Sequence, residues 1–139
     1  MDFTGKIIDF HGGPEIVPSG VLWVLTKKYV VTIGASIRLV CPSGMETDGA
    51  SIPRFFWRVI GHPMSLPYVK AAVLHDAGYM ARLRWYRKNT DGWVEDDYTR
   101  EEIDNLFLEI MKMLGVSWWR RRLMYIAVRW FGGGNWTET

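Results

Sequence analysis

The chain has 139 residues, a formal net charge of +2, eight tryptophans and a single cysteine, Cys41. That length suits one domain, able to bury roughly two thirds of the surface its unfolded chain exposes, and a lone cysteine excludes an internal disulfide, so packing must hold the fold. The small charge argues against a nucleic-acid partner, no stretch reaches the ~20 apolar residues of a membrane span, and MDFTGKIIDF has no signal-like apolar core, so the expectation is an intracellular protein, soluble or lying on a surface.

The first 41 residues predict a small antiparallel β meander. Residues 21–25, 29–33 and 36–41 are short runs rich in β-branched and aromatic side chains, broken by Thr26-Lys27-Lys28 and Gly34-Ala35. Before them, residues 11–20 hold three glycines and two prolines, a composition that predicts an irregular arm. Residues 42–65 are rich in Gly, Ser, Pro and Asp and read as a loop followed by a short helix begun at Ile52-Pro53.

From residue 66 the pattern is helical as far as 131. Over 67–88, Val69, Ala72, Val73, Ala77 and Met80 recur at helical spacing, with Pro67 tolerated in the first turn. The polar stretch 89–98, with Asp91-Gly92, predicts a loop. Thr99 followed by Glu102 forms a capping box. Ile103, Phe107, Ile110 and Leu114 make the stripe of the helix that follows, and Gly115 its stop. A last helix covers 117–131, and 132–139 is a frayed or specially folded tail. No repeat or linker divides the chain. The expected fold is α+β over 1–139, a single domain with a β-rich part followed by a three-helix half in which an antiparallel helix pair carries the site.

That site centres on His75-Asp76. His75 and Tyr79 lie one turn apart on a common face, while Asp76 is rotated by about 100°, so His75 and Asp76 are expected to border one cleft while Val73 and Ala77 face the core. A neutral imidazole acts as a general base on water when its second nitrogen donates to a carboxylate, and Asp104 on the neighbouring helix is the candidate carboxylate. Asp76 is then free to bind a hard cation with the loop Thr47-Asp48-Gly49-Ala50-Ser51, through the carboxylate of Asp48 and the carbonyl of Gly49. Ca²⁺ takes six to eight oxygen ligands of these kinds. The same residues admit a structural reading. His75, Asp104 and Tyr79 would form a buried polar network pinning two helices, and Asp48 with Ser51 would cap the helix at Ile52.

The set DGAS, HDAGY and EEIDNLFLEI resembles the prokaryotic branch of the secreted phospholipase A2 superfamily, over residues 47–111. The resemblance implies His75 as the base, Asp76, Asp48 and the Gly49 carbonyl as Ca²⁺ ligands, Asp104 as the orienting acid and Tyr79 as its hydrogen-bonding support. It also implies a phospholipid ester as substrate and a membrane surface as partner. The pattern departs from that superfamily in lacking its cysteines and in carrying a β-rich start. A wider pattern, from TDGASIPRFFW through AAVLHDAGY and IDNLF to RLMYIAVRWFG, is similar to a family of bacteriophage and prophage proteins with a domain of unknown function. It implies a phage product in the bacterial host or on the virion, with a phage or host protein as partner. An HD-type phosphohydrolase would need further histidines, and His11 and His62 lack ligand-like spacing.

The segment WWRRRLMYIAVRW, with Arg120, Arg121, Arg122 and Arg129 and no acid, can be read in three ways. It can be a core helix with a basic outer face, an amphipathic helix at a phospholipid surface, or a contact with another phage protein.

Overall fold

The computed structural model describes residues 7–20, 22–47, 57–60 and 68–137. Strands β1 (Ile8–Asp9), β2 (Ile16–Ser19), β3 (Leu22–Leu25), β4 (Tyr29–Ile33), β5 (Ile37–Cys41) and β6 (Glu46–Thr47) come first. They are followed by helices α1 (Trp57–Ile60) and α2 (Val69–Tyr79), the hairpin β7 (Arg84–Asn89) and β8 (Gly92–Asp96), then α3 (Arg100–Met113) and α4 (Trp118–Phe131). The α+β class is as expected. Asp48, Gly49, Ser51, Ile52 and His62 lie outside the described residues.

The strands are antiparallel, as expected, and divide between two sheets. One antiparallel sheet runs β1-β4-β5-β7-β8 and a second runs β2-β3-β6. The larger sheet joins both halves of the chain, because β5 pairs with β7, Ile37 facing Arg87 and Val40 facing Arg84. Its inner face follows the period of two expected of a half-buried strand. Tyr29, Val31, Ile33, Ile37, Leu39, Cys41 and Trp85 are all buried, in one cluster with residues of α2, α3 and α4.

Three expectations are corrected. Residues 16–19, read as part of an irregular arm, form β2; Pro18 is tolerated because β2 is an edge strand that, among the described residues, pairs only with β3. The helix predicted over 67–88 stops at Tyr79, and Arg84–Asn89 is a strand. The loop predicted over 89–98 contains β8, paired with β7 from Asn89–Gly92 to Trp85–Asp96. The reason for the early stop is local. Ala81 adopts a left-handed φ of 57°, and the Arg82 and Ala81 amides donate to the Ala77 and Gly78 carbonyls at 2.9 and 3.3 Å. This is the Schellman arrangement, usually built on glycine. Helix α3 ends the same way on a glycine, Gly115 at φ 79°.

Helix α2 is buried on every side, from Ala71 through Tyr79, as a helix in the middle of a core must be. Its small residues let α3 come close. A Cβ added at Gly78 would lie 2.9 Å from each of three side-chain carbons of Ile103. Helix α3 packs in turn against α4.

Candidate functional site

Three helices each contribute to one buried polar cluster. On α2, His75 and Tyr79 point to α3 from successive turns. Asp104 of α3 meets them, with His75 Nε2 and the Tyr79 hydroxyl both 2.7 Å from Asp104 Oδ1. Arg129 of α4 donates to Asp104 Oδ2 at 2.8 Å. Arg100, one turn before Asp104, holds its Nε 3.9 Å from the same oxygen and donates to the Tyr79 hydroxyl at 3.0 Å. The other end of Arg100 donates to the carbonyls of Val128 and Arg129, placing a cation at the negative end of α4.

The Asp104 side chain is fully buried. Burial alone would raise its carboxyl, but the hydrogen bond and charge of His75, with the hydrogen bonds from Tyr79 and Arg129, outweigh it and hold the group below the usual carboxylate range. Burial, and then the hydrogen bond and charge of Asp104, push the Tyr79 hydroxyl up. Asp104 is thus a carboxylate and Tyr79 a neutral donor. A carboxylate only accepts, so His75 Nε2 carries a hydrogen, and in the neutral ring the lone pair sits on Nδ1. The imidazole is clamped by rings on two sides, with centroids 4.3 Å from Tyr79 and 4.5 Å from Phe107.

The cleft expected beside His75 and Asp76 is not found among the described residues. His75 and Asp76 are buried, as are Val73 and Ala77. The void beside His75, lined by Leu74, Ile103, Leu106 and Phe107 among others, is too small for a water. A cavity of about 740 Å³ lies instead at the far end of α2, lined by Gly78, Ala81, Tyr98 and Trp136 among others. His75 does not line it.

Asp76 turns away from Asp104, as expected from its rotation on the helix, and its Oδ2 accepts the hydroxyl of Thr47. Thr47 immediately precedes Asp48, so the chain enters the Asp48-Gly49 segment from a bond to Asp76. A buried carboxylate is a hard oxygen donor of the kind Ca²⁺ takes. Among the described residues no group of three or more His, Cys, Asp or Glu is placed to hold a metal ion, and the expected ligands Asp48 and Gly49 lie outside them.

The structure therefore brings His75, Tyr79 and Asp104 together as the sequence predicted and joins Asp76 to the residue before Asp48. Sequence reasoning missed Arg100, Arg129 and Phe107 as members of the cluster. It also missed the tail's role. The Thr137 amide donates to the Tyr79 carbonyl at 2.8 Å, and the Trp136 ring stands edge-on to Tyr79 at 5.3 Å.

Residues 23–128 match the sequence profile of a family described as protein of unknown function, DUF1353. An uncharacterized protein of Sinorhizobium fredii (strain NBRC 101917 / NGR234), y4jT, is 34% identical over 134 residues, covering 96% of this chain and 33% of that protein. The chain thus spans about a third of that relative's length. No solved structure matches. The profile covers His75, Asp76, Tyr79, Arg100 and Asp104 and stops one residue before Arg129, and on the extent of that match the chain belongs to the DUF1353 family.

Proposed function

We propose that this chain is a hydrolase of the phospholipase A2 kind, in which His75 is the general base and the ester of a phospholipid is the substrate. The observation that carries this reading is the convergence of His75 Nε2 and the Tyr79 hydroxyl on one oxygen of the buried Asp104 carboxylate. With Nε2–H donating to Asp104, the Nδ1 lone pair takes a proton from water as the water oxygen bonds to the ester carbonyl carbon. Asp104 stabilises the positive imidazolium that forms, and Tyr79 and Arg129 keep the carboxylate in place. The ester C–O bond then breaks, and His75 returns its proton to the leaving alkoxide, giving an acid and an alcohol. Asp76, Asp48 and the Gly49 carbonyl would hold Ca²⁺, which supplies positive charge for the oxyanion. The TDGASIP…HDAGY…IDNLF pattern supports a bacteriophage or prophage origin.

One observation favours a second reading. The His75 and Asp104 side chains are fully buried, and the adjoining void admits no water. On this reading the cluster pins α2, α3 and α4 together in a non-catalytic virion or host-interaction protein. Calcium-dependent release of fatty acid from mixed phospholipid vesicles separates the two. The hydrolase reading expects release by the wild type that His75→Ala abolishes.

A further inference from the structure

Helix α4 has two unlike faces. Met124, Ala127 and Val128 are buried against the core. On the opposite side, at 100° per residue, Trp118, Trp119, Arg122, Ile126 and Trp130 fall within an arc of about 120°, and all five are exposed. The exposures are large for such side chains: Trp118 63%, Trp119 49%, Ile126 42% and Trp130 77%. The outer face is therefore apolar and aromatic around one arginine, where the sequence allowed a simple basic face. Arginines border the tryptophans, with the Arg120 guanidinium 5.1 Å from the Trp119 ring and that of Arg122 5.4 Å from the Trp118 ring. No acidic residue lies on the helix.

We propose that this face of α4 docks flat on an anionic phospholipid bilayer. Tryptophan favours the boundary between hydrocarbon and water, where its ring is buried and its N–H stays wet. Arginines beside it reach up to phosphates while their stems stay in the apolar layer. A helix with an aromatic face, flanking cations and no acid meets both requirements of surface binding, apolar area and charge complementary to anionic lipid. No helix among the described residues is long and apolar enough to cross a membrane, so contact by this helix is at the surface. A second copy of the chain fits less well, since a two-fold contact over this face would set Arg122 near its own copy with no acid on the helix to neutralise it. The docking surface is separate from His75 and does not rest on hydrolysis there.

The test is co-sedimentation with vesicles of phosphatidylcholine alone and of equal parts phosphatidylcholine and phosphatidylglycerol. The wild type is expected to bind the anionic vesicles and to release as salt rises. The double variant Trp118→Ser/Trp130→Ser is expected to bind at least about ten-fold more weakly, and Arg120→Gln/Arg122→Gln about five-fold more weakly per arginine. All four positions are exposed, so unchanged thermal unfolding confirms that the variants are folded. The proposal is overturned if the tryptophan variant binds like the wild type, or if neither vesicle is bound. It is equally overturned if light scattering shows a dimer that the tryptophan variant abolishes while vesicles are ignored.

Discussion

Replacing Asp104 by asparagine keeps the side-chain shape and one carbonyl acceptor but removes the charge on which His75, Tyr79 and Arg129 converge. Whichever way the amide turns, its NH₂ faces a donor, either Arg129 or the His75 and Tyr79 pair. Hydrogen bonds to a charged partner contribute about 1.5–3 kcal/mol each. The Arg129 side chain is 28% exposed and recovers some hydration when its partner is lost, so its share is discounted. The expected loss is about 3 kcal/mol, at the low end of what breaking a buried pair costs, or on the order of 10 °C in Tm for a chain of this size. The pH dependence has a definite sign. The folded-state pKa of Asp104 is depressed, so in acid the unfolded chain takes up the proton first. The wild type's advantage over Asp104→Asn is therefore complete above the ordinary carboxyl range, at about pH 5 and higher, and is lost as the pH falls through the lower folded value. Urea unfolding of both proteins at pH 7 and at steps down to about pH 3 measures the gap directly. A gap below about 1 kcal/mol at pH 7, or one that does not shrink in acid, would show that the Asp104 charge does not hold the cluster together.

Two further substitutions test how α2 is seated. Gly78→Ala gains about 1 kcal/mol of helix propensity but forces a methyl against Ile103, whose β-branched side chain yields little, and overpacking costs about 1–3 kcal/mol. Thermal unfolding is expected to show a net loss of about 1 kcal/mol, and a more stable variant would mean that α2 and α3 are not this close. Ala81→Gly relieves the left-handed conformation that ends α2 and is expected to raise stability by about 0.5–1 kcal/mol; a loss of stability in the same assay would show that residue 81 is not left-handed.

Parts of the molecule with local signals were legible in the sequence. The start of α3 was, because Thr99 and Glu102 bond reciprocally at 3.1 Å, and its end was, because Gly115 stands at the left-handed position. The end of α2 was not, because alanine occupies the equivalent place, and the apolar spacing ran on through Met80 into what is a strand. That strand was hidden by its own environment. In β7 only Trp85 is buried, between exposed Arg84 and half-buried Tyr86, and its place is set by pairing with β5, more than forty residues earlier in the chain. Within the cluster, His75, Tyr79 and Asp104 were marked by helical spacing and by resemblance. Arg129 was not, since a long side chain arriving from another helix twenty-five residues away leaves no periodic trace. Burial of the site was equally hidden: Val69, Ala72, Val73, Ala77 and Met80 marked one apolar face of α2, and the packing that also buries His75 and Asp76 leaves no trace in that spacing.

The central claim, that the buried Asp104 carboxylate arms His75 to activate water, meets its most direct test in fatty-acid release from anionic phospholipid vesicles, with Ca²⁺ and with chelator. Release is expected from the wild type in Ca²⁺, none from His75→Ala, and a large reduction from Asp104→Asn at a temperature where that variant is still folded. Wild-type protein no more active than His75→Ala across a panel of lipids, while His75→Ala unfolds more readily, would contradict it and leave the cluster as a pin between three helices.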